Sequence, residues 1–378
     1  GTHTWVWNTE DKDMHWKECS LCKRINGEKE NHNYENGFAC ECGRVVTGVK
    51  FATFFKNNYE RFDTLPEAVA HVTDSTEAVI YMGEDLSGNG VFVPSDRNIT
   101  FRFNGHTYTV TGGAVGSANY ETQAFHLEKN SVIKMMNGTI TSKAGSGVRM
   151  LVQNYSNLTL ENIVLDGRNL DEARDGKGNV VPNYTLSNNF GVTSMQGTTI
   201  HAKDANQVAF DVWYGMKTAY LDGVSVTVGD GCQINGVIEY GANVVPDSFA
   251  NFKLVLHAGR VYNLRFSSDN VNCDNCNITL GGVTIEHNYV KQSTTDATCT
   301  EAQIDHYECA YCDKTDDRTV GEPKGHTLSS ILTSENGQHY HKCTVCGKQA
   351  DERVDCTYTQ GEYEHNGDKH WQVCTVCD

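Results

Sequence analysis

The residues best equipped for chemistry are cysteines and histidines, and they recur at fixed spacing. His15-Trp16-Lys17-Glu18-Cys19-Ser20-Leu21-Cys22 is matched by His339-Tyr340-His341-Lys342-Cys343-Thr344-Val345-Cys346, and again by His370-Trp371-Gln372-Val373-Cys374-Thr375-Val376-Cys377. A looser copy holds Cys299, Cys309, Cys312 and His326. A Cys-x2-Cys knuckle turns tightly enough to aim two thiolates at one centre. Two further His or Cys ligands complete the tetrahedron that structural zinc takes. Spacing suggests the sets His15, Cys19, Cys22, His32; Cys299, Cys309, Cys312, His326; His339, Cys343, Cys346, Cys356; and an incomplete His370, Cys374, Cys377. The choice within each set stays open. His3 or His326 could replace the histidine before a knuckle, and Cys40 with Cys42 could close a four-thiolate site with Cys19 and Cys22.

Disulfides are the rival use of these thiols, as in secreted proteins. Disulfides, however, give no reason for histidines at repeating positions. A redox role fits poorly, because no βαβ pattern surrounds the pairs. Of the 15 cysteines, only Cys232, Cys273 and Cys276 lie between residues 50 and 290. The two flanks are poor in aliphatic residues and need a staple, which bound metal would provide. Repetition of a short unit marks an array of small modules. The expected division is 1–48 and 296–378 as metal modules, the last truncated, with 49–295 between them.

The middle segment consists of short β-rich strings broken by Asn and Gly. Leu65, Ala68 and Val69 fall at helical spacing and predict one short helix before the first strand, Ala78 to Met82. A template of apolar-x-apolar-x-Asn/Gly followed by more β residues starts at Ile133, Leu158, Ala219 and Ile278. An Asn or Gly there tolerates a left-handed turn between two strands. A sandwich would also string short strands together, but repetition of the unit favours a coil stacked on itself.

Two resemblances sharpen this reading. The His-Trp-x2-Cys-x2-Cys strings resemble small zinc-ribbon-like repeats of large surface proteins of gut Firmicutes. The Phe62-to-Ala70 helix, Asn104-Gly105-His106-Thr107 and the string at 157–163 resemble the right-handed parallel β-helix of the pectate-lyase-like superfamily. Together they imply an all-β protein, a right-handed parallel β-helix (solenoid) with small zinc-stapled modules at both ends. They also imply a bacterial, extracellular, cell-surface setting. Gly1 reads like a protease scar, and the last repeat stops just after Cys377, so a fragment is expected whose signal peptide and anchor lie elsewhere.

The β-helix resemblance further implies action on polysaccharides, either by calcium-assisted lyases or by hydrolases with paired carboxylates. The insertion at 166–179 supplies Asp166, Asp171, Glu172, Arg174 and Asp175 as candidate catalytic or calcium-binding residues. The other reading is a solvated loop. Val228-Gly229-Asp230-Gly231-Cys232 echoes a hydrolase string with its second aspartate replaced, and the companion strings are absent, so that mechanism is not carried over. Trp213, Tyr214, Tyr220 and Tyr240 are candidate sugar-stacking residues.

Charge narrows the choice of partners. A formal charge of −17 opposes binding to nucleic acid or an anionic membrane surface. No apolar run is long enough to insert in a bilayer. The expectation is a glycan-binding or adhesin-like surface module with structural zinc. A polysaccharide lyase or glycosidase and a passive stalk are the alternatives.

Overall fold

The alternating strings between the metal-binding motifs become strands of two large sheets. A computed structural model describes residues 2–8, 14–32, 40, 42, 48–117, 120–215 and 223–377. It is nearly all β, and no helix among the described residues is long and apolar enough to cross a membrane. Contacts divide the chain into two units, Gly1–Glu286 and His287–Asp378.

In the first unit the chain alternates between a 15-stranded and a seven-stranded sheet. It visits the larger sheet at Glu77–Met82, Asn98–Arg102, Val132–Ser142, Asn157–Asp166, Val192–Gln196, Val224–Val228, Phe252–Leu256 and Ile278–Leu280. Between these visits it enters the smaller sheet at Val91–Val93, Gln123–Leu127, Met150–Asn154, Tyr184–Asn189, Val208–Tyr214, Val237–Ala242 and Asn263–Phe266. Successive visits to the same sheet pair in parallel. Parallel pairing needs a crossover connection, and the excursion to the other sheet provides it.

Register places like positions in a column. Ala78, Ile99, Ile133, Leu158, Thr193, Val226, Leu254 and Ile278 stand one above another, all buried. Full burial of each Leu or Ile is worth about 1.5–3 kcal/mol against exposure. Asn137 and Asn162 take left-handed φ of 57° and 50° between the halves of their long strands, as the Asn/Gly template requires.

The column carries one hydroxyl, and an asparagine pair accommodates it. Thr193 Oγ1 accepts from Asn154 Nδ2 (3.0 Å) and donates to Asn188 Oδ1 (2.7 Å). Asn154 Nδ2 also donates to Asn188 Oδ1 (2.9 Å), and Asn188 Nδ2 donates to the Gly191 carbonyl (2.8 Å). Every member of this network is buried.

The helix forms at Leu65–Ala70, opened by a capping box between Thr64 and Glu67, with Leu65, Ala68 and Val69 buried. Two template copies depart from expectation. Through Thr193, Val226 rather than Ala219 stands opposite Leu158, so the third copy is displaced. Its first residues, 219–222, lie outside the described residues. At the fourth copy, Gly281 and Gly282 both have positive φ (60° and 82°), which reverses the chain into an antiparallel pair with Val283–Thr284.

The expected boundary at 295/296 shifts to 286/287, because Tyr289–Thr295 pairs antiparallel with Ile304–Cys309 and belongs with the C-terminal modules. The N-terminal motif forms its own antiparallel sheet of Trp5–Asn8, Met14–Cys19 and Ile25–Asn31 within the first unit. In the second unit the described hydrophobic residues that are fully buried are five cysteines and Tyr340. Such a core is too small to hold the sheets by itself.

Asn188→Ala removes a partner from both Asn154 and Thr193 while leaving them buried. It is expected to lower stability by about 2–3 kcal/mol, read as a shift of the urea midpoint of the parallel sheets.

Candidate functional site

Each knuckle follows an antiparallel strand and turns its backbone N–H groups towards its first thiol. Val345 N–H points at Cys343 Sγ (3.4 Å), and Tyr311 N–H points at Cys309 Sγ (3.4 Å). Hydrogen bonds to a thiolate favour the charged form. The N–H of Cys346 and its neighbours hold the Cys343 thiol down to about 5. The N–H of Cys22, then His3, hold Cys19 down to about 6. Burial works against Cys309, yet the Tyr311 N–H and His287 bring it down to about 7. Cys299 is pushed the other way, up to about 11, by burial and then by Cys343 and Cys346. A thiolate is the metal-ligating form, so the lowered thiols are poised for a cation, and a cation would relieve the raised one.

Ligand atoms gather in five groups, each lying within 4.8 Å, that could hold a metal ion. The first two are His3, Cys19, Cys22 and His15, His32, Cys40, Cys42. In the second unit, His287 joins Cys309 and Cys312; Cys299 joins His326, Cys343 and Cys346; and His339 joins Cys356, Cys374 and Cys377. The residue types match the sequence reading, but the partition differs from it. His15 and His32 leave Cys19 and Cys22 for Cys40 and Cys42, with Cys40 Sγ 2.9 Å from His15 Nδ1 and Cys42 Sγ 3.3 Å from His32 Nδ1. Cys299 and His326 leave Cys309 and Cys312 for the next knuckle, with Cys299 Sγ 3.6 Å from Cys343 Sγ and Cys346 Sγ 3.4 Å from His326 Nδ1. His339 and Cys356 move on to Cys374 and Cys377, while His370 enters none of the groups. The cause is strand geometry. A histidine four residues before a knuckle sits in the strand leading to it, and in these groups it joins the knuckle that follows its own. His287 was absent from the sequence reading, although it opens its module as His326 opens the next.

The acids of the 166–179 insertion do not converge. Arg168 forks onto Asp166 (2.8 and 2.7 Å), holding its carboxyl below the usual range. Asp171 accepts the N–H groups of Gly145 (2.6 Å) and Gly147 (2.7 Å). Asp175 accepts those of Lys177 and Asn179 (both 2.8 Å), and Glu172 pairs with Arg174. Each carboxylate is thus engaged separately, Asp166, Glu172 and Asp175 by near neighbours in the insertion and Asp171 by the turn at Gly145–Gly147.

The sugar-stacking candidates also separate. Tyr240 is a core residue stacked on Phe252 at 4.0 Å, its hydroxyl donating to the Phe252 carbonyl (2.8 Å). Trp213 and Tyr214 are half-buried neighbours on one strand, whose side chains leave opposite faces. Tyr220 lies outside the described residues.

A different row emerges on the smaller sheet. Its parallel register aligns Phe92, His126, Gln153, Ser187, Asp211, Glu239 and Arg265. Asp211 is 4% and Glu239 3% exposed. Asp211 accepts from Asn188 N–H (2.6 Å) and Ser187 Oγ (3.3 Å), and Glu239 accepts from Tyr184 Oη (3.0 Å) and pairs with Arg265. Burial, then the charge of Glu239, pushes the Asp211 carboxyl up to about 7. Alongside runs an aromatic ladder: Phe92 on His126 (4.9 Å), His126 by Tyr155 (5.4 Å) and Tyr155 on Phe190 (6.4 Å). Phe92 is exposed, and Tyr155 and Phe190 are half-buried. The sequence signal was a single polar residue between apolar neighbours, as in Phe-His-Leu, Phe-Asp-Val and Ile-Glu-Tyr.

No protein-family model matches this chain, and no curated protein or solved structure shows significant similarity to it.

A carboxyl raised in the folded state favours folding at low pH, and that contribution is lost as pH rises towards its folded value. Asp211→Asn is therefore expected to gain stability relative to the parent between about pH 4 and pH 7. The gain is at most about 1.4 kcal/mol per pH unit and levels off above pH 7. Urea midpoints of both proteins at pH 5 and pH 8 measure it.

Proposed function

We propose that this chain is a glycan-binding, adhesin-like module of an extracellular surface protein, a right-handed parallel β-helix with structural zinc at its small modules. The aromatic ladder Phe92–His126–Tyr155–Phe190 carries the binding reading. Sugar rings stack on aromatic faces, and exposed Phe92 with half-buried Tyr155 and Phe190 offers such surfaces around the buried His126. Arg265, exposed at the end of the same row, supplies a hydrogen-bond donor. The alternation of the chain between two parallel sheets supports the helical coil, in keeping with the resemblance to pectate-lyase-like proteins.

Zinc is the metal that fits the donors. Sets of thiolates and imidazoles suit zinc better than calcium or magnesium, which take oxygen ligands. Its role is architectural, because the second unit has almost no apolar core other than cysteine.

One observation favours a second reading, cleavage of the bound polymer. Asp211 and Glu239 are neighbouring carboxyl residues on paired strands, and one of them is raised to about 7, a value suited to a general acid. Discrete oligosaccharides released from mucins, glycosaminoglycans or pectins, and lost in Glu239→Gln, would select this reading over binding alone.

For the binding reading, the combined Phe92→Ala and Tyr155→Ala variant is expected to lose roughly tenfold or more of its retention on an immobilised polysaccharide. Unchanged retention would remove the ladder as the site. For zinc, a strong chelator is expected to unfold the second unit while the β signal of the first persists. Cys299→Ser should disturb the Cys343–Cys346 centre and spare Cys309 and Cys312, read from cobalt–thiolate absorption in each variant.

A further inference from the structure

The second unit consists of three small antiparallel sheets. The first pairs Tyr289–Thr295, Ile304–Cys309 and Thr315–Thr319; the second pairs Leu328–Glu335, Gln338–Cys343 and Val354–Asp355; the third pairs Glu364–His365 with His370–Trp371. Two of the sulfur-bearing groups stand where a core would tie these sheets together, and each brings thiols of neighbouring sheets into contact. Cys299, in the segment between Tyr289–Thr295 and Ile304–Cys309, has its Sγ 3.6 Å from that of Cys343, which ends the strand Gln338–Cys343. Cys356, beside Val354–Asp355, has its Sγ 3.8 Å from that of Cys377, in the knuckle after His370–Trp371.

The partners lie 44 and 21 residues apart along the chain. A bond within a knuckle, Cys343 to Cys346 or Cys374 to Cys377, would close one tight turn and tie no sheet to another. Bonds between the contacting pairs would link the first sheet to the second and the second to the third. Closing a longer loop also removes more freedom from the unfolded chain.

We propose that Cys299–Cys343 and Cys356–Cys377 are sites of disulfide formation that serve as a second staple. With no metal bound, a low-molecular-weight disulfide such as oxidised glutathione joins each pair, and the unit folds around the two bonds. This goes beyond structural zinc, since these four sulfur atoms hold the sheets together whether they meet on an ion or bond to each other. For each pair, one thiolate attacks a sulfur of oxidised glutathione and expels one glutathione thiolate, leaving a mixed disulfide. The partner thiolate then attacks the protein sulfur of that bond and expels the second glutathione. Two electrons pass from the cysteine pair to the oxidant, and the two cysteine protons end on the released glutathiones. Cys346 and Cys374 are not used, because a disulfide needs two sulfurs where zinc takes four ligands.

The test treats the whole chain with a strong chelator and then refolds it, metal-free, in mixed reduced and oxidised glutathione. Remaining thiols are blocked, and the non-reduced digest is mapped by mass spectrometry. The expected result is peptides joined through Cys299–Cys343 and Cys356–Cys377, with recovery of the β signal that the chelator removed. Cys299→Ser should lose the first link and keep the second. Cys346→Ser removes a metal ligand that the bond does not use. It should form both links as the parent does, while its cobalt–thiolate absorption falls. Links confined to Cys343–Cys346 and Cys374–Cys377 would overturn the proposal, as would a chain that stays fully reduced in this mixture. Zinc counted in the untreated chain tests the metal reading separately, and both links in a chain that binds no zinc would support the staple without it.

Discussion

Register between successive parallel strands is the constraint from which the rest of the first unit follows. Strands hydrogen-bonded in parallel lie about 4.8 Å apart, so one residue position repeats along the sheet at that interval. A shift of one residue would turn every core side chain outward. The column from Ala78 to Ile278 fixes the larger sheet against such slippage. In the smaller sheet the same rule sets Asp211 beside Glu239 and Phe92 beside His126. The unusual carboxyl and the aromatic ladder are therefore products of stacking, with no dedicated loop needed to assemble them.

The two units are held together by different forces. The first buries large side chains such as Phe101, Phe125, Phe210 and Phe252, and interior polar groups such as Asn154, Asn188 and Thr193 bond to one another. The second buries thiols where a core would be, with Tyr340 as its one large buried side chain among the described residues. Hydrogen bonds from knuckle N–H groups favour the charged form of its Cys343 and Cys309 thiols. With metal bound as proposed, folding of that unit would be tied to metal supply and to acidity, since protons compete for the same sulfur atoms.

Much of this was legible from residue spacing. Leu65, Ala68 and Val69 marked the helix, and the strings at Ile133 and Leu158 fell into the register that their similarity implied. Which cysteines and histidines gather into groups able to hold a metal could also be read in outline, because thiolate and imidazole chemistry is carried by residue type. Their grouping could not, since ligand exchange between neighbouring modules depends on three-dimensional proximity rather than on distance along the chain. His15 is four residues from Cys19 yet meets Cys40. At 166–179 closeness in sequence gives Asp166, Glu172 and Asp175 local partners, while Asp171 reaches back to Gly145 and Gly147, a pairing that spacing could not reveal. Asp211 and Glu239 went unnoticed because 28 positions separate them, a distance closed only by the excursion of the chain through the other sheet.

The ends of the larger sheet bear on how this protein avoids self-templating. A run of parallel strands exposes unpaired N–H and C=O groups at its last member, and another extended chain could add there without limit. Here the first parallel strand, Glu77–Met82, is covered by the antiparallel strand Phe51–Phe55, itself paired with Asn58–Phe62. At the other end the Gly281–Gly282 reversal lays Val283–Thr284 against Ile278–Leu280. Both margins thus finish in hairpins whose direction opposes continuation of the parallel stack. At these two margins of the larger sheet's main run, an added chain would meet an antiparallel hairpin and not a parallel strand.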